Sequence, residues 1–172
     1  MSQILQKLSG GDLRSIGRAN EVTREVEIDE SLFVELFNGI DEVDPVIRMR
    51  AADVIEKVTQ KKPELLLGFT HKVISIMESS LQQEVCWHMA QIAPRLTCKE
   101  DEESKIINIL KKYLLHKSKI VRVSAMESLV YFAERNNSIF DEILAIIQNQ
   151  IDTGSPAVKS RGRKLLQRLE RN

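Results

Sequence analysis

The sequence predicts an all-α protein whose helices form an α-α superhelix of four to five pairs. The first observation is a repeated segment, which reads DPVIRMRAADVIEKV over residues 44–58 and returns three times further along the chain. Successive copies are offset by 38, 36 and 37 residues, measured between their first core residues Ile47, Val85, Val121 and Val158. Self-similarity at this period is typical of a helical solenoid.

The second observation is the spacing of apolar residues inside each copy. After each first core residue they recur with the 3.6-residue period of an amphipathic helix. The predicted core positions are Ala51, Val54, Ile55 and Val58; Met89, Ile92, Ala93 and Leu96; Ala125, Leu129 and Phe132; and Gly162, Leu165, Leu166 and Leu169. Each set begins with a small or slim residue, as close packing between helices requires.

Helix starts supply the third observation. Asp44-Pro45 and Ser155-Pro156 each place a side-chain oxygen at the N-cap and a proline at the first helical position. Ser80, with Gln83 three residues later, fits a capping box. These signals predict where the second helix begins in three of the pairs.

The first thirty residues are predicted to be an atypical N-terminal cap. A short helical lead-in ends at Gly10-Gly11, and Asp12 then begins a helix that runs to about residue 26. Leu13 stands 34 residues before Ile47 and marks a fifth, degenerate copy.

Four repeats are predicted over residues 31–170. Their first helices begin near Ser31, Leu65, Ser104 and Ile139. Pro63 ends the second helix of the first repeat, because the residue before a proline disfavours helical geometry. The stretch KEDEES, residues 99–104, is predicted to be a charged loop. Since no linker is visible, residues 1–172 are predicted to form a single repeat domain.

Composition excludes several classes of protein. The net charge is zero and no apolar run is long enough to span a bilayer. The first residues, MSQILQKLSGGDL, lack a cationic region followed by an apolar one, so we expect no secretory signal. Cys86 and Cys98 lie about 18 Å apart if one helix joins them, which is beyond disulfide reach. A cytoplasmic protein with reduced thiols and no membrane contact is therefore predicted.

The sequence holds no pattern that indicates an active site. Gly-rich phosphate loops, HExxH, GxSxG and CxxC are all missing. The three histidines, His71, His88 and His116, fall in different predicted helices and are expected to be surface residues. We therefore predict no catalytic residues, no metal and no cofactor.

The repeated segment resembles HEAT repeats, in which a Val-Arg pair is frequent. The matching pairs are Ile47-Arg48, Val121-Arg122 and, as a variant, Val158-Lys159, whereas Cys86 stands where the second copy would have a basic residue. The resemblance covers residues 31–169. It implies that the basic residues tie neighbouring repeats by hydrogen bonds and that the second helices line a concave surface.

On that surface the sequence predicts a binding site for a partner protein. The helix face opposite the core carries an apolar row, Met49, Trp87 and Val123, beside a row of acids and amides, Asp53, Gln91 and Glu127. A tryptophan within an apolar stripe is typical of an interaction hot spot. The acidic row favours a basic amphipathic helix or peptide. Alternatively, the apolar row consists of ordinary exposed residues or contacts the adjacent repeat.

One flank of the same helices is basic and supports a second hypothesis. Its residues Arg50, Arg95, Arg161 and Arg168 would bind phosphates, as in the few HEAT-like arrays that are DNA glycosylases acting on alkylated purines. Alternatively, these charges pair within their helices, since Asp53 lies three and four residues from Arg50 and Lys57. Zero net charge argues against strong nucleic-acid binding. The sequence therefore favours a non-enzymatic scaffold or adaptor for protein interactions.

Overall fold

The computed structural model describes residues 2–171, and the regular structure within them is entirely helical. The ten α-helices of this part are α1 (Gln3–Leu8), α2 (Ala19–Ile28), α3 (Phe33–Ile40), α4 (Pro45–Lys61), α5 (Thr70–Ser79), α6 (Gln83–Ile92), α7 (Glu100–Tyr113), α8 (Lys119–Arg135), α9 (Phe140–Thr153) and α10 (Pro156–Leu169). Short 3₁₀ turns occupy Glu30–Leu32, Pro63–Leu66, Ala93–Arg95 and Asn137–Ile139. The all-α prediction is confirmed for the described residues, whereas the superhelical arrangement stays a prediction.

Two compact units make up the chain, residues 1–97 and residues 98–172. In the first unit α3 packs against α4 and α5 against α6; in the second, α7 packs against α8 and α9 against α10. The four helix pairs that the repeats predict are therefore present, two in each unit. A single domain over the whole chain stays a prediction.

Helix α4 is the centre of the first unit and contacts α1, α2, α3 and α6. The close approach of α3 depends on Gly39, where an added Cβ would lie 2.7 Å from the Leu5 side chain and 2.9 Å from the Cβ of Ala51. Ala51 is the small residue that begins the first core set, so this contact joins two small residues of facing helices.

A second contact joins the two helix pairs of the first unit through aromatic rings. Phe37 of α3 stacks on Phe69, which directly precedes α5, with ring centroids 4.3 Å apart. Phe33 meets both rings edge-on at 5.7 Å. Offset and edge-on arrangements are the favourable ones for aromatic pairs, so this cluster stabilises the contact beyond the apolar area that it buries.

In the second unit, Gly162 allows helices to approach closely, as Gly39 does in the first. An added Cβ there would lie 2.7 Å from Ile151 of α9 and 3.3 Å from Met126 of α8. Val121, Ala125 and Leu129 of α8 are fully buried. Across both units every predicted core residue is buried except Leu166, which is partly exposed. The core register read from the repeats is therefore confirmed.

Residues beside the core form the hydrogen bonds that the HEAT resemblance led us to expect. Arg48 Nε donates to Gln82 Oε1 at 2.8 Å, and Gln82 Nε2 donates to the Pro45 carbonyl at 2.8 Å, which ties α4 to the start of α6. Arg122 Nη2 donates to Gln150 Oε1 at 2.9 Å and ties α8 to α9. Lys159 instead donates to the Asp152 carbonyl within its own helix pair.

The predicted helix over residues 12–26 is wrong in its first half. Asp12 accepts a hydrogen bond from the Arg14 amide at 2.9 Å, which makes a turn and not a helix cap. Gly10, Gly11 and Gly17 have positive φ, which interrupts helical geometry, and α2 begins only at Ala19. Leu13 is exposed and not a core residue, so it does not mark a fifth repeat.

The charged loop predicted over residues 99–104 is also wrong, because α7 begins at Glu100. Its first turn holds Glu100, Asp101, Glu102 and Glu103, where carboxylates are stabilised by the helix dipole. Glu102 Oε2 accepts a hydrogen bond from the Lys99 amide at 2.8 Å. Acidic residues at this place are a start signal for a helix.

Of the predicted caps, Asp44 is confirmed: its carboxylate accepts a hydrogen bond from the Val46 amide at 2.8 Å. Ser155 is the N-cap residue of α10 but makes no capping hydrogen bond with its side chain. The capping box at Ser80 is wrong, since α6 begins at Gln83 with Gln82 as its N-cap, while Ser80 is the C-cap residue of α5.

The core register can be tested with two alanine substitutions in the second unit. Ala125→Asp places a carboxylate in a fully buried helix contact and should lower the free energy of unfolding by about 3 kcal/mol or more. Ala145→Asp, at an exposed position of α9, should cost about 1 kcal/mol or less. Urea unfolding followed by circular dichroism measures both. Equal losses for the two variants would contradict the register.

Candidate functional site: the Trp87 pocket

A pocket of about 190 Å³ lies within the first unit, and we call it the Trp87 pocket. Three segments line it. Residues Met49, Arg50 and Asp53 come from α4, Trp87 and His88 from α6, and Leu13, Arg14, Ser15 and Ile16 from the loop between α1 and α2. We call that loop, residues 9–18, the N-terminal loop. The two helices are the second helices of consecutive pairs.

Arg50 holds the N-terminal loop in place. Its side chain is only 2% exposed, and its Nη1 donates to the carbonyls of Leu8 at 2.8 Å, Ser9 at 3.2 Å and Gly10 at 2.7 Å. Nε donates to the carbonyl of Ser15 at 3.0 Å. One guanidinium therefore holds carbonyl groups from the loop's two ends, because its planar group carries several N–H donors in fixed directions.

The loop's conformation is built around this guanidinium. At Gly17, φ is +50°, and an added Cβ would lie 2.7 Å from Arg50 Cζ. At Gly11, φ is +77°, and an added Cβ would lie 3.3 Å from Arg50 Nη2. Side chains at these two positions would meet both an unfavourable backbone geometry and the arginine itself. The glycines thus allow the backbone to close over Arg50.

Apolar side chains form most of the pocket wall. Leu13 and Ile16 of the loop are 42% and 45% exposed, and Trp87 is half-buried. Met49, in contrast, is only 7% exposed, although the sequence placed it on an open surface. The pocket also brings Trp87, Met49 and Asp53 together, as the rows predicted from the sequence require.

Asp53 is the one carboxylate that lines the pocket within residues 2–171, and it is paired. Its Oδ2 lies 2.6 Å from the ammonium of Lys57, which confirms the pairing within α4 that the sequence allowed. Its Oδ1 lies 4.0 Å from His88 Nε2. Lys57 Nζ also donates to Asn20 Oδ1 at 2.8 Å, so this pair connects α4 to α2.

His88 is buried, whereas the sequence led us to expect a surface residue. Its Nδ1 is enclosed and has no hydrogen-bond partner in the part of the chain that the structure describes. Burial lowers the pKa of His88, against the opposing effect of the nearby Asp53 and Glu56 carboxylates. The imidazole is therefore held in its neutral form at neutral pH.

The remaining residues of the predicted basic flank pair with acids one repeat earlier. Arg95 Nη2 lies 2.7 Å from Glu56 Oε1, and Nη1 donates to the Glu56 carbonyl at 2.9 Å. In the second unit, Arg161 Nε lies 2.6 Å from Glu127 Oε1, and Arg168 forms a two-pronged pair with Glu134. These arginines therefore form ion pairs between helices and not within a single helix. Arg50 differs, because its partners are main-chain carbonyls.

The other residues predicted to bind a partner are Gln91, Val123 and Glu127. All three are half-buried: Gln91 lies on α6, and Val123 and Glu127 lie on α8 in the second unit. Sequence reasoning missed Leu13, Arg14 and Ile16, since it placed them in a helix. Two signals for a loop were present there, the Gly10-Gly11 pair and Gly17 only six residues later.

The two thiols are free, as predicted. Cys86 is buried, and burial together with the Glu102 and Glu103 carboxylates raises the pKa of Cys98 to about 11. No cluster of three or more metal-ligating side chains occurs among residues 2–171. In the same residues, no helix combines the length and the apolar character that crossing a membrane requires.

Comparisons with known proteins leave the resemblance to HEAT repeats as a prediction. No protein-family model, no curated protein and no solved structure matches this chain.

Removing the Arg50 guanidinium should free the N-terminal loop. Arg50→Met leaves at least four carbonyls without their donor and should lower the free energy of unfolding by about 2 kcal/mol. Trypsin should then cleave after Arg14 and Arg18 faster than in the wild type. Arg24→Met, at an exposed position of α2, serves as the control and should leave both properties unchanged. Unchanged cleavage in Arg50→Met would show that Arg50 does not hold the loop.

Stability should fall as the pH decreases below about 6.5. The unfolded chain then protonates His88 near its ordinary pKa of 6.5, whereas the folded chain resists protonation because the folded-state pKa is lower. The folded state thus loses stability by at most about 1.4 kcal/mol per pH unit for this one proton. Thermal unfolding between pH 7.5 and 5.5 measures the effect. His88→Gln should flatten the decline, and His71→Gln, at an exposed position, should not.

Proposed function

We propose that this chain is a non-enzymatic scaffold or adaptor that binds a segment of a partner protein at the Trp87 pocket. The observation that carries the proposal is the setting of Trp87, the single tryptophan of the chain. It is half-buried in a pocket that Leu13 and Ile16 border with exposed apolar surface. Tryptophan in such a setting is the residue type most enriched in interaction hot spots.

The size of the pocket favours a side chain over a separate small molecule. Pockets that enclose a drug-sized ligand usually measure about 300–1,000 Å³. At about 190 Å³, the Trp87 pocket is below that range and can hold one large apolar side chain. A protein segment that inserts one such residue would bury the exposed parts of Leu13 and Ile16 at the same time.

The position of the pocket in the fold agrees with the resemblance to HEAT repeats. The resemblance implies that the second helices of the repeats line the binding surface. Here α4 and α6, the second helices of two consecutive pairs, supply Met49, Asp53 and Trp87 to one pocket. The proposed binding site therefore depends only on the packing of these two neighbouring helix pairs.

The nucleic-acid hypothesis receives less support. A phosphate-binding surface needs cations that are free to replace counterions. Arg50 is buried and bonded to carbonyls, while Arg95, Arg161 and Arg168 are paired with Glu56, Glu127 and Glu134. Each would have to give up a present partner to contact a phosphate.

A peptide library displayed on phage and selected on the wild-type protein tests the proposal. Selected peptides should lose about 2 kcal/mol or more of binding free energy on Trp87→Ala, which is roughly thirtyfold in affinity. Leu81→Ala, at an exposed aliphatic residue outside the pocket, should leave their affinity unchanged. Melting temperatures of both variants should stay close to that of the wild type.

Two results would contradict this proposal. If Leu81→Ala weakened the peptides as much as Trp87→Ala, binding would not be located at the pocket. If Trp87→Ala lowered the melting temperature as strongly as a buried polar substitution does, Trp87 would be a core residue and the pocket would have no anchor.

A further inference from the structure

We infer that the Trp87 pocket binds a segment in which a large apolar residue is flanked by acidic residues. This inference rests on the proposed function and reverses the charge of the partner that the sequence favoured. That earlier expectation depended on Asp53, Gln91 and Glu127 acting as a free acidic row. In the structure Asp53 is paired with Lys57, and Glu127 is paired with Arg161.

The first source of positive potential is Arg50. Its guanidinium lines the pocket and is buried, and no carboxylate in the described part of the chain lies within ion-pair distance of it. The carbonyl groups satisfy its hydrogen bonds but are neutral overall, so the guanidinium keeps its net positive charge. Inside a protein, where the dielectric is lower than in water, such a charge acts over a longer distance. A carboxylate held near the pocket mouth would be attracted to it.

Arg14 is the second source, and it lies at the surface. Its side chain lines the pocket, is exposed, and has no hydrogen-bond or ion-pair partner among residues 2–171. The neighbouring Arg18 differs, because it forms a pair with Glu21. Arg14 can therefore turn toward a carboxylate on a bound segment without giving up a side-chain hydrogen bond or an ion pair.

The acids near the pocket do not cancel these two charges. Asp53 forms an ion pair with Lys57 at 2.6 Å, and Glu56 is paired with Arg95. Asp12 keeps its charge, but it is exposed in the loop, does not line the pocket and can offset only one of the two arginines. The lining itself holds two arginines and one carboxylate that is already paired with a lysine. A basic segment would meet net repulsion here, and an acidic one net attraction.

Three blocked pentapeptides form a matched test of this inference. They carry phenylalanine between two aspartates, phenylalanine between two lysines, and alanine between two aspartates, with glycine at both ends of each. Trp87 reports on binding directly, because its fluorescence and its indole N–H resonance are the single tryptophan signals of the chain. Titrations are made at low salt and again at 0.5 M salt, where exposed charges are screened.

We expect the aspartate–phenylalanine peptide to bind at least about threefold more tightly than the lysine–phenylalanine peptide at low salt. The preference should shrink at 0.5 M salt, and the alanine peptide should leave the tryptophan signals unchanged. Arg14→Glu should abolish or reverse the preference. Arg163→Glu, which changes an exposed arginine of the second unit in the same way, should retain it.

The possible failures separate the inference from the proposed function. Equal or tighter binding of the lysine–phenylalanine peptide would overturn the inference and leave the pocket as a binding site for an apolar residue. An unchanged preference in Arg14→Glu would overturn it as well. If none of the three peptides altered the tryptophan signals, both the inference and the proposed function would be contradicted.

Discussion

The candidate site depends on the hydrogen bonds between the Arg50 guanidinium and the carbonyls of the N-terminal loop. Helix α4, which carries Arg50, is held by four other helices of the first unit, so the guanidinium has a fixed position in the core. The loop has no helix or strand of its own and takes its shape from that fixed group. Leu13, Arg14 and Ile16 reach the Trp87 pocket only because the loop is closed over Arg50.

Several ion pairs of this protein connect one helix to another. Arg95, Arg161 and Arg168 each meet a glutamate of the preceding second helix, 34 to 39 residues earlier in the chain. Pairs at this spacing connect successive second helices and neutralise charge on them. Arg50 and Arg14 form no such ion pair in the described part of the chain, and both line the Trp87 pocket. The positive charge at the pocket therefore comes from these two arginines.

Core positions could be predicted from the sequence because equivalent positions of the repeats meet the same packing constraint. Ala51 and Gly162, for example, stand at equivalent positions, and both permit the close approach of another helix. The N-terminal loop could not be predicted this way, since residues 9–18 belong to no repeat. Residues 99–104 were misjudged for a different reason. A run of acids indicates a solvated loop, but at a helix N-terminus the same acids are stabilised by the helix dipole.

By itself, the sequence determined the helical class, the four helix pairs, the residues of the core and the choice of Trp87 as the candidate anchor. Periodicity carries this information, because burial in a helix repeats every 3.6 residues whatever lies around it. Only the tertiary structure decided which charges are free and which polar groups are enclosed. A helical wheel predicts that Arg50 is a surface cation, yet it is buried beneath a loop some forty residues away in sequence. Contacts of that kind depend on how the chain folds back on itself, and local pattern does not encode them.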